Sequence, residues 1–199
     1  MKIKGDMSMK IRIYKNPNGD SRTAKPDVTF EEFHDANKSH RDEVMLLMRE
    51  LSRDIEDRGL MHDVTKETNE QQFFADLKMA QMGVIDFTEG EWHKAHVSAE
   101  RHHLNAKCPK DVNLIDVLEM IADVVAAELA RKEDGATAIS EDLIPNDILK
   151  KAVINTAHML RDRCEVVDDS IYYGKYVRTK PTHRTEGSYY YGHDQRGEF

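Results

Sequence analysis

Residues 59–67 read GLMHDVTKE, which sets the imidazole of His62 directly before the carboxylate of Asp63 and the ammonium of Lys66 three residues further on. Imidazole nitrogen and carboxylate oxygen are the groups that hold divalent metals, and an ammonium beside them is a point charge for an anion such as phosphate. Six of the ten histidines fall between positions 40 and 103. His93, His96, Glu100 and His103 follow steps of three, four and three, so on one continuous helix they form a single stripe. Asp116, Glu119 and Asp123 line up in the same way further on. A plainer reading stands beside each group: a solvated polar face with one or two histidines in the core, since an acidic stripe is ordinarily the wet side of a helix.

Helices have to position these residues. Val44, Leu47, Met48, Leu51 and Ile55 recur at three- and four-residue steps, which predicts a helix ending near Gly59 with that face buried. His40, four residues before Val44, falls on the same side. NEQQFFADLKMAQMG predicts a shorter helix stopped by Gly83, and TEGEWHKAHVSAERHH another that begins near Gly90. LIDVLEMIADVVAAELARKEDG is the strongest pattern, with Leu114, Leu118, Ile121, Val125 and Leu129 on its apolar face, and PNDILKKAVINTAHMLRDRC predicts a last long helix opened by Pro145. Before the helices, MKIRIYKN alternates like a short strand and NPNGDSRTAKPD has loop composition; after Cys164 come six of the seven tyrosines and little periodicity. The expectation is an all-α protein in three parts: an N-terminal strand and loop at 1–28, a helical domain at 29–164 and an irregular tyrosine-rich tail at 165–199.

With 199 residues, 33% of them charged and 39% hydrophobic, the composition is that of a globular domain with a heavily solvated surface. No run of about 18 apolar residues exists and the N-terminus lacks the apolar core of a secretory signal, so a cytoplasmic protein with no membrane role is expected. Cys108 and Cys164 suggest no disulfide framework. A net charge of -8 argues against a general nucleic-acid coat, although YYGKYVRTKPTHR in the tail carries some basic and aromatic residues.

The order of His40, the pair His62 and Asp63, a histidine cluster and then Asp123 inside MIADVVAA resembles the HD superfamily of metal-dependent phosphohydrolases. LMHDVTK resembles that family's apolar-apolar-His-Asp segment, and LIDVLEMIADVVAA the helix that carries its last Asp; HVSAERHHLNAK followed by that helix is similar to uncharacterised phage and bacterial members, which would imply a host cytoplasm for a viral protein. The resemblance covers residues 36–132 and implies an HD-like helical bundle. It also implies one or two divalent ions (Mn, Co, Mg, Zn or Fe) held by His40, His62, Asp63 and Asp123, with His96, His102 and His103 as further ligands and His93 as a spare. Lys66 would bind the phosphate, Arg101 or Arg41 less directly; Glu119, Glu67 or a histidine would supply the leaving-group proton. The implied substrate is a small phosphorylated molecule, a nucleotide above all, with Trp92 available for stacking, and a homo-oligomer is compatible with this. One departure stands out: the family's Gly before Lys is Thr65 here. Two alternatives accompany the hydrolase: a di-iron oxygenase on the same fold, and a non-catalytic phage interaction protein.

Overall fold

The helical part of the chain starts at Thr29, whose hydroxyl accepts from the Glu32 N–H at 3.3 Å while the Glu32 carboxylate accepts from the Thr29 N–H at 2.9 Å. This reciprocal cap satisfies two donors that the first turn leaves unpaired. Helix α1 (Phe30–Met61) then runs 32 residues, about 48 Å at 1.5 Å per residue. The structure, a computed structural model, describes residues 10–15, 24–131 and 143–167. The loop at 16–23, the connection at 132–142 and the tyrosine-rich tail from residue 168 onward, with its basic and aromatic run, lie outside the described residues.

After α1 come α2 (Val64–Thr68), α3 (Glu70–Gln81), a 3-10 turn at Phe87–Glu89, α4 (Glu91–Ala99), α5 (Leu114–Arg131) and α6 (Asn146–Asp162). Gly83 has φ +72°, a left-handed value that suits glycine and ends the α3 segment. Strand β1 (Ile11–Tyr14) pairs in parallel with β2 (Cys164–Val167), Ile11 opposite Cys164 and Tyr14 opposite Val167. The all-α expectation with a short N-terminal strand therefore holds. The strand's partner, Cys164–Val167, runs into the segment expected to be irregular, where the pattern announces no strand. No described helix is long and apolar enough to cross a membrane.

Leu104, Val112, Val117, Met120, Ile148 and Ala152 form the core, with Leu114, Ile121, Leu143 and Ile144 packed against it. The start of α5 is fixed by polar groups. Asn113 Oδ1 accepts from the Ile115 and Asp116 N–H groups, Asp116 Oδ2 accepts from the Asn113 N–H, and Thr156 Oγ1 on α6 accepts from the Leu114 N–H. Consequently α5 is seated with its acidic stripe inward: Asp116 is fully buried and Glu119 nearly so, while Leu118 is 46% exposed and Leu129 75%. The apolar face expected from periodicity is thus only partly used, Leu114 and Ile121 packing on the core while Leu118 and Leu129 turn outward, and Arg58 and Arg101 neutralise the buried Asp116 and Glu119.

Helix α1 departs from expectation in a similar way. Val44, Met48 and Ile55 are 44%, 60% and 44% exposed, and the helix is anchored by polar ties. Glu43 accepts from the Tyr14 N–H, Asp54 from Arg163 at 2.6 Å, and Asp116 and Glu119 from Arg58.

Candidate metal centre

α1 ends at His62, its C-cap, and Asp63 follows with φ 55° and ψ 27°. Asp is among the few non-glycine residues that tolerate this left-handed region. On an uninterrupted helix neighbouring side chains diverge by about 100°. The break turns both inward, so that His62 Nε2 lies 3.4 Å from Asp63 Oδ2 and 3.5 Å from Asp123 Oδ1.

Two further histidines reach the other oxygen of Asp63. His96 Nε2, on α4, is 3.4 Å from Asp63 Oδ1, and His102 Nε2, in the turn after α4, is 3.5 Å from the same oxygen and 3.9 Å from Asp123 Oδ2. His103 Nε2 lies 2.8 Å from His96 Nε2. The atoms form two groups, Asp63, His96, His102 and His103 on one side and His62, His102 and Asp123 on the other, each within 4.8 Å. Two nitrogens bound to one ion at about 2.1 Å are themselves roughly 3 to 4 Å apart. The cluster could therefore hold a metal ion with small side-chain shifts. Asp63 Oδ1 and His102 Nε2 are buried and have no hydrogen-bond partner among the described residues, the condition of ligand atoms facing a cation.

The ring orientations are set from behind. Glu119 Oε1 accepts from His62 Nδ1 at 3.0 Å and lies 3.2 Å from His102 Nδ1, close enough for ionic attraction but off the hydrogen-bond line. Arg58 Nη1 donates to the other oxygen of Glu119 at 2.9 Å and to Asp116 at 2.7 Å. Thr65 Oγ1 donates to Glu100 at 2.6 Å, so it accepts from His96 Nδ1, also at 2.6 Å, and His96 Nε2 is left bare toward Asp63. Each partner fixes a tautomer with Nε2 aimed at the centre. Trp92 stacks on the His96 ring at 4.6 Å and on Phe73 at 4.0 Å, so it is a support for His96 and lies within the packed aromatic pile. Asp76, buried on α3, accepts from the Trp92 N–H at 2.8 Å and holds the first turn of α4.

Charge follows from these contacts. Burial raises the Asp63 carboxyl, but Lys66, in hydrogen-bond contact with it, brings it below its ordinary value. Burial likewise opposes ionisation of Glu119, and His102, His62 and Arg58 outweigh it, bringing it down to about 2. Burial and the neighbouring His102 and His96 push His103 down to about 4. For His102 burial works downward and the surrounding Glu119, Asp63 and Asp123 prevail, so its value is raised.

Several expected roles change. His40 is exposed and lies 22 residues before His62 on the same unbroken α1, about 33 Å away, so it is not a ligand of this cluster; Arg41 is excluded with it. His93 packs edge-on against Phe87, outside the cluster. The stripe through Glu100 and His103 is not one helix, since α4 ends at Ala99 and His103 returns to His96 through a turn. Arg101 is not free for a phosphate, because Asp116 takes its Nε and Nη2 at 2.8 Å each and Asp111 its Nη1 at 3.0 Å. Glu119, ionised and committed to imidazoles and Arg58, has no proton to give a leaving group. Lys66 stays beside Asp63 with its side chain 45% exposed. Neither Arg58 nor Thr65 carries a motif that announces these roles; Arg58 precedes His62 by one helical turn, and Thr65 is the position that departs from the HD pattern.

Residues 29–163 match a family described as a family of unknown function, DUF5662. No curated protein and no solved structure matches the chain.

Proposed function

We propose that the chain, which belongs to this family of unknown function, is a divalent-metal-dependent phosphohydrolase that keeps the His62, Asp63 and Asp123 of the HD pattern without its first histidine. The observation that carries the proposal is the meeting of His62, Asp63, His96, His102, His103 and Asp123, with Asp63 Oδ1 and His102 Nε2 buried and unpartnered at its centre. A bound divalent ion would activate water and neutralise charge on a phosphoryl oxygen. The chain's own residues do the rest. Glu119 and Thr65 hold the imidazoles with Nε2 inward, Arg58 keeps Glu119 ionised, and the Lys66 ammonium sits where a phosphate oxygen would approach Asp63. The exposed side of His62 and Asp123 opens on a cavity, giving a substrate its way in.

The test is elemental analysis of the purified protein beside Asp63→Asn, a substitution that the left-handed backbone tolerates. Bound metal in the wild type and none in the variant is expected, together with hydrolysis of phosphate esters in Mn, Co or Mg by the wild type alone. Stoichiometric metal in both proteins, or no ester cleaved by the loaded wild type, overturns the proposal. Iron accompanied by substrate-dependent oxygen uptake would replace hydrolysis by oxygenase chemistry on the same ligands.

A further inference from the structure

Beside His62 and Asp123, α1 and α5 border a half-open cavity of about 300 Å³. That is the small end of the range for small-molecule sites. Its walls are Ile55 and Gly59 from α1 and Ile115, Leu118, Ala122 and Ala126 from α5. Among the described residues two polar side chains line it besides the ligands: Glu119 accepts from Arg58 and His62 on its two oxygens, and Arg58 gives its Nη1 to two carboxylates. A nucleobase or sugar moving into this space would give up hydrogen bonds to water and find hydrocarbon in return. A hydrocarbon or aryl group would gain by the same move.

We infer that, given the hydrolase reading on which this rests, the site takes phosphate esters of apolar alcohols of one- or two-ring size. The phosphate lies at His62, Asp63 and Asp123 and the organic group lies between Ile55 and Leu118. The cavity joins the cluster directly through His62 and Asp123, so one molecule spans both. Among the described residues, Arg58 brings Nε and Nη2 as donors beyond the bonds of its Nη1, which is too little to satisfy both a nucleobase and a sugar among walls of Ile55, Ile115, Leu118, Ala122 and Ala126.

Gly59 offers the test. Gly59 lines the cavity, a Cβ built there meets nothing within 4 Å among the described residues, and leucine is favoured over glycine inside a helix, so Gly59→Leu adds hydrocarbon at the cavity wall with no clash at its Cβ. Binding to metal-loaded protein is measured by calorimetry with three phosphonates that cannot be hydrolysed: phenylphosphonate, methylphosphonate and the phosphonate analogue of a nucleoside monophosphate. The expected order puts phenylphosphonate about tenfold or more ahead of each of the others. In Gly59→Leu that advantage disappears while metal content and methylphosphonate affinity stay as in the wild type; Ala126→Leu, on the opposite wall, repeats the result should Gly59→Leu not fold. Equal binding of phenyl- and methylphosphonate, or preference for the nucleoside analogue, overturns the inference and leaves the hydrolase intact. Failure to bind any metal or phosphonate overturns both. A change of oligomeric state in Gly59→Leu with phosphonate affinities unaltered identifies the cavity as a contact between copies and overturns it too.

Discussion

Glu119 accepts from His62 Nδ1 at 3.0 Å and from Arg58 at 2.9 Å, so one carboxylate decides which nitrogen of His62 faces the centre and biases His102 in the same sense. An amide in its place keeps the shape and loses the charge that holds both rings. Glu119→Gln is expected to weaken metal binding by roughly 10- to 100-fold with helical content preserved, as loss of such supporting partners typically does. Competition against a chelating dye measures it, and an unaltered affinity would remove Glu119 from the site. His40→Ala makes the converse test. Its place about 33 Å up α1 predicts unchanged metal content, and a variant that purified without metal would return His40 to the ligand set.

At the scale of elements, two short polar devices aim the ligands. Asn113 caps α5 and thereby sets the rotation that turns Glu119 and Asp123 toward His62. Asn113→Ala is expected to cost about 1 kcal/mol in urea unfolding, the usual value of an N-cap, and a loss within error would mean that Thr156 and Asp116 suffice. Gly90 precedes α4, where an added Cβ would stand 2.5 Å from Asp76 Oδ2. Gly90→Ala should push Asp76 off the Trp92 N–H and leave a buried carboxylate oxygen short of a donor, costing on the order of 1–3 kcal/mol. Trp92 fluorescence, from the chain's lone tryptophan, reports whether its stack on His96 has shifted as well.

For the whole molecule the cluster links folding to protons. Glu119 at about 2, below the usual 4.5, contributes stability that is fully present above about pH 4.5 and lost as pH falls toward 2. His103 at about 4, below 6.5, makes the folded chain bind fewer protons than the unfolded one, so stability is fully present above about pH 6.5 and lost as pH falls toward 4. His102, raised, acts the other way: its contribution is present below about pH 6.5 and disappears as pH rises through its folded value. In chelator, the melting temperature is expected to fall on acidification from pH 6 to pH 3, once His102 is charged and only the losses remain. With metal added, the difference in melting temperature between loaded and free protein should grow from pH 6 to pH 8, as His102 gives up its proton to become a ligand. A difference that shrinks over that range would place His102 outside the coordination sphere.

Much of the local structure was determined by the sequence itself. Thr29, Gly83, Gly90 and Pro145 mark helix ends through capping and backbone preference, which act within a few residues, and the His62 and Asp63 pair with Asp123 was visible as chemistry. What the chain cannot state locally is which side of each helix meets which neighbour. Periodicity distinguishes apolar from polar faces, yet α5 buries its acidic face because Arg58 and Arg101 arrive from 58 and 15 residues away to pair with Asp116. The same limit governs His40 and His103. The HD resemblance implies the first as a ligand and spacing places the second on a continuous helix, whereas the unbroken course of α1 carries His40 away and the turn after Ala99 brings His103 back to His96. Convergence of ligands depends on where helices stop and how they are seated, and tertiary packing decides both.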